Sequence, residues 1–214
     1  MSPTPSKRSG EAREGRYHHG DLKAALVDGA IELIGERGVR GFTMAELSRR
    51  LGVTVAAPYR HFADRDELLA AVVVRALQAF ADALAAGARD EDSPEQRLAA
   101  MTRDYVRFAA ENRPLFYVVY GTELDKARYP ELRPAYQRVE EPFGVCVAEL
   151  CPDDPQGAEA LGDALEAAAH GHAMLLLDGS YGEGPDAVDR AAAQAARVTG
   201  ALIQGRSALG RPAS

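Results

Sequence analysis

The chain has 214 residues and a formal net charge of −7 at neutral pH, with 46% hydrophobic and 27% charged residues. This composition is ordinary for a globular protein and excludes a chain without a folded core. No uninterrupted apolar run approaches the roughly 18 residues of a membrane span, and the N-terminal residues lack the apolar stretch of a signal peptide. A cytoplasmic protein is therefore expected.

Charge is distributed unevenly along the chain. Residues 1–65 hold 11 Lys and Arg against 8 Asp and Glu, a net charge of +3, and the rest hold 14 against 24, a net charge of −10. A basic front on an acidic body favours a polyanion-binding head on a carrier domain. The alternative is that an excess of three charges has no functional meaning.

Alanine-rich and apolar stretches follow the helical period, and no convincing strand-type alternation occurs, so the predicted fold class is all-α. Caps at Thr43, Asp64 and Ser93, each followed three positions later by an acidic or amide residue, mark helix starts. Pro142 is expected to kink or split the seventh helix. The nine predicted helices span residues 21–37, 43–51, 55–62, 65–86, 94–111, 114–120, 132–150, 156–178 and 186–206.

One stretch near the N-terminal end has the pattern of two short helices joined by a tight turn. Leu47 supplies an apolar contact, Ser48 a small residue at the helix crossing, and Gly52 the turn. Thr54 is expected to cap the second helix, 55–62, whose first turn would enter the major groove of DNA and pack on thymine methyls. The residues expected to contact DNA bases or phosphates are Thr43, Thr54, Val55, Ala56, Ala57, Tyr59, Arg60, His61 and Arg65.

The whole string resembles the DNA-binding head of the tetracycline-repressor (TetR) family of bacterial transcription regulators over about residues 17–75. The match rests on Gly41-Phe-Thr43, Gly52-Val-Thr54, Tyr59-Arg-His61-Phe62 and Arg65-Asp-Glu-Leu68. Pro58 and Arg65 depart from the family's usual aliphatic residue and lysine. The resemblance implies a sequence-specific repressor that a small, mostly apolar ligand releases from its double-stranded operator.

Glu166-Ala-Ala-Ala-His170-Gly171 resembles a Trp-x-x-x-His-Gly element found in the C-terminal domain of one branch of the family, although this chain contains no tryptophan. The resemblance also implies a division into a helix-turn-helix head and a larger ligand-binding and dimerisation domain. The predicted segments are a disordered arm (1–19), the head (20–65), the larger domain (66–206) and a disordered tail (207–214).

The N-terminal arm is basic, and it is either a minor-groove contact or a solvated tail. Its acidic residues Glu11 and Glu14 dilute the positive charge, so the sequence leaves both interpretations open. The cationic side chains of the arm are Lys7, Arg8, Arg13, Arg16, His18 and His19.

The last two long helices carry apolar seams with small residues that allow close helix packing. The favoured interpretation is that they pair with their copies in a homodimer, because a helix-turn-helix usually reads two half-sites; the alternative is that both seams face their own core. The residues expected at the dimer interface are Leu165, Leu176, Val188, Ala191, Ala195, Val198 and Leu202.

Aromatic residues with a few polar tips, on three helices of the larger domain, suit a pocket for a small molecule, although any one of them could be ordinary core. The residues expected to contact the ligand are Tyr105, Phe108, Phe116, Tyr117, Tyr120, His170 and Met174.

Three other classes of protein compete with a regulator. No hydrolase, phosphate-loop or zinc-protease motif occurs, so we expect no enzyme, no metal and no cofactor. His170 and His172 leave open a metal-responsive sensor or an enzyme-like small-molecule binder, although residues two apart on a helix do not share a face. Cys146 and Cys151 lack a zinc or redox spacing and fit reduced thiols. A DNA-free adaptor is the third alternative.

Overall fold

The computed structural model describes residues 19–88 and 93–209. This part of the chain contains nine α-helices, one 3₁₀ helix and no strand, so the predicted all-α class is confirmed. The elements are α1 (His19–Arg37), α2 (Met44–Arg50), the 3₁₀ helix Pro58–Arg60, α3 (Arg65–Ala88), α4 (Pro94–Glu111), α5 (Arg113–Gly121), α6 (Leu132–Leu150), α7 (Pro155–Leu177), α8 (Pro185–Gln204) and α9 (Arg206–Leu209).

The head is built on one apolar cluster that α1, α2 and the start of α3 share. Phe42, Leu47 and Phe62 are at most 2% exposed in it. α1 and α2 approach so closely that a Cβ added at Gly29 would lie 2.9 Å from Leu47 Cδ1. Gly52 adopts φ 67°, which side-chain-bearing residues rarely do. The glycine turn that the sequence predicted is therefore present.

The long helix α3 joins the head to the body. Its first turns, from Leu68 to Ala76, lie in the head cluster, whereas Phe80 and Leu84 lie in a second cluster formed by the body helices. α3 is long and apolar enough to cross a membrane by length and composition, yet more than half of that stretch is buried inside the protein. Its hydrophobicity is accounted for by its place between two cores.

α4 lies at the centre of the body and packs against α3, α7 and α8. The α8 side chains at this contact are small, and two of them, Ala191 and Ala195, are fully buried. Thr199 is also fully buried and donates a 3.1 Å hydrogen bond to Thr102, whose hydroxyl donates to the Leu98 carbonyl at 2.9 Å. Every buried hydroxyl of this contact is therefore hydrogen-bonded, and the two helices can pack closely.

The predicted α-helix over 55–62 is wrong: this segment forms turns and the 3₁₀ helix. Ala57 donates to the Thr54 carbonyl at 2.9 Å, three residues back, and His61 donates to the Pro58 carbonyl in the same way. Pro58 has no N–H to donate four residues back, and its ring would meet the Thr54 carbonyl in a regular α-helix. The residue that precedes the 3₁₀ helix is Ala57, without a side-chain cap, so Thr54 is not the cap either.

The remaining boundaries agree with the predicted ones to within about two residues. The side chains of Thr43 and Ser93 accept from backbone N–H groups three residues on, and Asp64 caps α3 in the same way. α6 continues through Pro142, so the predicted split is absent. The predicted tail from residue 207 begins inside α9. The predicted arm lies outside the described residues, except that α1 already begins at its last position.

Because α8 packs on α4 through alanines, a larger side chain there should strain the core. Ala195→Leu is expected to lower the free energy of unfolding by about 1–3 kcal/mol, the typical cost of overpacking. Urea denaturation measures this effect. Ala85→Leu, the same change at an exposed position of α3, is the control and should stay within about 0.5 kcal/mol of the parent. An unchanged midpoint for Ala195→Leu would contradict the close α4–α8 contact.

Candidate nucleic-acid interface and ligand cavity

The turn between α2 and α3 presents an exposed edge. Val55 is 56% exposed and Tyr59 51%, which is unusual for side chains of this size. Thr54, Ala56 and Arg60 are exposed on the same segment. The segment therefore offers small apolar groups, a phenol and a guanidinium to a partner, a combination that suits base edges and phosphates.

The exposed edge is fixed in place by buried neighbours. Pro58 and Phe62 point inward and are buried, and the Phe62 N–H donates to the Pro58 carbonyl at 3.0 Å. Lys23 of α1 lies 5.4 Å from the centroid of the Phe62 ring. Since Pro58 and Phe62 are anchored, Tyr59 and Arg60 between them and residues 54–56 before them are held facing solvent.

The other residues predicted to contact DNA differ in their exposure to solvent. Thr43 is exposed and caps α2, with its hydroxyl accepting from the Glu46 N–H at 3.2 Å. The N-terminal amides of that helix remain a suitable phosphate site. Ala57 and His61 are half-buried.

The Arg65 side chain makes its contacts within the head itself. Its guanidinium donates to the Val39 carbonyl and, at 3.4 Å, to the Phe42 carbonyl. It also lies 4.7 Å from the centroid of the Phe42 ring. These contacts join α3 to the loop that precedes α2, so Arg65 positions the helix-turn-helix.

The sequence interpretation missed Arg49, an exposed cation near the end of α2. Its neighbour Arg50 is engaged by Glu36 at 2.6 Å, and side-chain hydrogen bonding to Arg50 lowers the pKa of that carboxyl. No ion pair of Arg49 is found within the described residues. The adjacent pair Arg49-Arg50 does indicate positive charge at the end of α2. The sequence alone does not indicate which of the two arginines faces an acidic neighbour.

A cavity of about 700 Å³ lies in the body between α6, α7 and the ends of α4 and α5. Of the residues predicted to contact a ligand, Tyr105 and Tyr120 line it. Phe116 is fully buried and Phe108 nearly so, and both pack in the body core. The prediction for these two is not supported, because they lie behind the wall.

The last three predicted ligand residues lie outside the lining. Met174 packs, half-buried, on the body core. Tyr117 is 40% exposed and lines a different cleft, where α5 meets α1. His170 is stacked on Phe116 with 5.7 Å between ring centroids, and its Nδ1 is 3.1 Å from the Tyr105 hydroxyl. His170 thus supports a lining residue and does not itself face the cavity.

The two lining tyrosines share a polar network. The Tyr105 hydroxyl donates to that of Tyr120 at 2.6 Å, with His170 as its second partner. Burial raises the pKa of Tyr105 far above its ordinary value, and the neighbouring Tyr120 and Glu166 raise it further. Burial likewise raises the pKa of Tyr120 to about 12. Both phenols are therefore neutral near neutral pH. Because the Tyr105 proton is used in its bond to Tyr120, the Tyr120 hydroxyl is the one available as a hydrogen-bond donor to a ligand.

Carboxylates in the lining were missed by the sequence interpretation. Glu140 lies on α6, and Glu159, Asp163 and Glu166 lie on α7. Acidic residues on amphipathic helices are usually a solvated face, so only the geometry of the cavity distinguishes these four.

The apolar seams predicted to form a dimer interface face the chain's own core. Ala191 and Ala195 are fully buried, and Leu165 and Leu176 are buried as well. Helical periodicity identifies an apolar face but not the neighbour it packs on, and here that neighbour is α4 or the cavity wall. The other three predicted residues, each half-buried in the monomer, are Val188, Val198 and Leu202.

His172, the second histidine considered as a metal ligand, has a partner of its own. Its Nδ1 is 2.5 Å from the Tyr181 hydroxyl, and burial lowers its pKa. His170 is held by Tyr105 on another side of α7. Among the described residues no group of three His, Cys, Asp or Glu is placed to hold a metal ion.

Comparisons with known proteins agree with this architecture. The family model for bacterial regulatory proteins of the tetR family matches residues 26–72. The model for the Tetracyclin repressor-like C-terminal domain matches residues 98–199. Both halves of the chain are thus matched by models of one family.

Individual relatives point the same way. The HTH-type transcriptional regulator BetI of Rhizobium meliloti (strain 1021) is 29% identical over 152 residues, 67% of this chain and 75% of that protein. A solved protein of unknown function from Rhodococcus sp. RHA1 has a TM-score of 0.73 at 27% identity, covering 92% of this chain and 100% of that one. A TetR-like regulator from the same organism has a TM-score of 0.67 at 21% identity, covering 89% and 100%.

The helix-turn-helix with its exposed edge, on a helical body, defines a DNA-binding transcriptional regulator rather than an enzyme. The chain belongs to the TetR family of bacterial transcription regulators.

Removing the exposed groups of the turn should weaken DNA binding without unfolding the head. Tyr59→Ala is expected to reduce affinity about tenfold or more for a duplex selected from a random pool. Arg60→Ala should reduce the slope of log affinity against log salt by about one, because one guanidinium no longer meets a phosphate. Fluorescence anisotropy measures both. Arg133→Ala, an exposed body position, is the control; equally weakened binding in all three variants would contradict this surface.

Proposed function

We propose that the protein is a cytoplasmic, homodimeric repressor that a small molecule releases from its operator. Residues 20–65 are the DNA-reading head, and residues 66–206 bind the effector and form the dimer. The observation that carries the proposal is that the same short stretch of chain, α5 and the loop after it, contacts both the cavity and the head.

The first link between cavity and head is α5 itself. It carries Tyr120 into the cavity lining, and its Pro114 packs against α1 so closely that a Cβ at Gly35 would lie 3.0 Å from the proline Cγ. A displacement of α5 at the cavity therefore presses on α1, the helix that supports the helix-turn-helix.

The second link is the loop between α5 and α6. Thr122 and Lys126 of this loop line the cavity, and Arg128 forms an ion pair with Asp64, the cap of α3. Tyr129 is buried in the head cluster, and its hydroxyl has no hydrogen-bond partner among the described residues. Because the buried Tyr129 hydroxyl has no hydrogen bond to lose, moving this loop to a second arrangement costs less free energy than breaking a fully bonded contact.

Release then follows as a shift in population between two arrangements. A ligand that binds the arrangement unsuited to DNA more tightly lowers operator affinity by the ratio of its two affinities. Tenfold weakening needs a difference of about 1.4 kcal/mol.

The outer faces of α7 and α8 support the homodimer better than the buried seams do. On α7 the positions Ala164, Ala168, Gly171 and Leu175 recur at spacings of 4, 3 and 4, and Leu175 is 47% exposed. On α8 the outer positions include Ala193, Ala196 and Gly200. Small residues on two adjacent helices permit close packing with a copy, and one exposed leucine gains by burial.

A bulky cation on this face should separate the protomers. Gly171→Arg is expected to convert a dimer to a monomer in size-exclusion chromatography with light scattering, because a Cβ at this position meets no atom of the described residues within 4 Å and the longer side chain can extend toward a copy. Gly144→Arg, at an equally open position of α6, is the control and should leave the mass unchanged. A parent chain that is monomeric at micromolar concentration would refute the dimer.

The effector response can be tested by filling the cavity. Gly162 lines the cavity, and a Cβ added there meets no atom of the described part of the chain within 4 Å. Gly162→Leu should therefore keep full repression of a reporter placed behind the selected operator and lose induction by any compound that relieves the parent. Tyr59→Ala, which should lose repression, shows what a defect in DNA binding looks like in the same reporter assay. A reporter that the parent chain activates, or an inducer that still acts on Gly162→Leu, would contradict the proposal.

A further inference from the structure

The cavity has an uneven charge that bears on the chemistry of its occupant. Its lining contains four carboxylates and a single ammonium group, that of Lys126. The carboxylates lie at the more exposed positions, whereas Val147, Leu165 and Ala169 of the lining are buried apolar wall. The space therefore has an acidic mouth and an apolar interior.

The acidic residues of α7 are arranged in a way that isolated helices disfavour. Glu159, Asp163 and Glu166 recur at spacings of four and three, so the like charges are neighbours on one face. α7 contains no lysine or arginine. Within the described part of the chain, none of the three has a cation at ion-pair distance, and neither does Glu140 across the cavity. Since Lys126 is the single cation of the lining, the four carboxylates leave an excess of negative charge that a positive ligand group would relieve.

The chain already places one cation on an aromatic wall of this cavity. Lys126 Nζ lies 4.0 Å from the centroid of the Tyr136 ring, well within the range of a cation–π contact. Tyr136 is half-buried, and its hydroxyl donates to the Val119 carbonyl, so the ring is held in position. An ammonium group is thus accommodated at the mouth in the free protein.

We propose that the effector of this cavity is an organic cation with an apolar body: the positive head lies among the four carboxylates and the Tyr136 face, and the body occupies the interior. This inference rests on the proposed function and names the chemical class of the ligand. A neutral or anionic ligand of the same size would leave the carboxylates uncompensated or add to their repulsion.

The position of Lys126 also suggests how such a cation acts. A second positive group cannot share the Tyr136 face with the lysine, so binding displaces Lys126. The displaced residue lies two positions from Arg128, which bonds to Asp64 at the start of α3. The charge of the ligand is therefore coupled to the contact between body and head.

The test compares three probes with the same alkyl chain on the full-length protein: octyltrimethylammonium, neutral octyl methyl sulfoxide and octanoate. Isothermal titration calorimetry is expected to give about tenfold tighter binding for the cation than for the sulfoxide, and the weakest binding for octanoate. Raising the salt concentration should weaken binding of the cation and leave that of the sulfoxide unchanged.

Two double variants assign the preference to the cavity. Glu140→Gln with Glu166→Gln should abolish the cation preference and leave sulfoxide affinity intact. Glu111→Gln with Glu141→Gln changes the net charge equally at exposed positions outside the lining and should keep the preference. Matched thermal melting of the two variants excludes a folding defect.

Each outcome bears on the inference separately from the proposed function. Sulfoxide or octanoate affinity equal to that of the cation overturns the cationic class, and so does a preference that survives the first double variant. Failure of all three probes to bind overturns it too. In each of those cases an unrelated compound that induces the parent but not Gly162→Leu would still support a ligand-released repressor.

Discussion

Burial of Pro58 and Phe62 is the constraint on which the DNA-facing surface depends. The Phe62 side chain lies in the cluster shared by α1, α2 and α3, and Pro58 is buried as well, whereas Tyr59 and Arg60 between them and residues 54–56 before them are left exposed. Since Pro58 cannot continue an α-helix, residues 54–61 form tight turns with hydrogen bonds three residues apart, and Phe62 closes the segment with a bond to the Pro58 carbonyl. Anchoring in the core, rather than helical hydrogen bonding, therefore holds the exposed edge in place.

The same core extends into the body and gives communication between the two parts a physical route. α3 contributes to the head cluster with its first turns and to the body cluster with its last ones. The head is therefore not a separate module on a flexible linker. Under the proposed function, a change in the packing of α5 or its following loop at the cavity would be transmitted through these close contacts, because densely packed interiors do not absorb strain locally.

Local features were predictable from the sequence, and long-range partners were not. Caps at Thr43 and Ser93 and the turn at Gly52 depend on neighbours within a few residues, which the sequence displays directly. The seam of Ala191 and Ala195 was correctly predicted to be apolar and close-packing, but only the fold determines that α4 covers it. Likewise nothing in the spacing of the acidic residues of α7 indicates that they border a cavity. The predicted helix over 55–62 is absent because Pro58 has no N–H to donate to a carbonyl four residues back.

Hydrogen–deuterium exchange of the full chain, with and without a duplex selected from a random pool, can locate the DNA-binding surface. We expect slower exchange on DNA binding at the amides of residues 43–62, with the cavity-lining turns of α6 and α7 unchanged. Protection confined to the body would contradict a helix-turn-helix interface held by its buried anchors. Protection spread over the whole surface, and equal with heparin and with DNA, would contradict it as well.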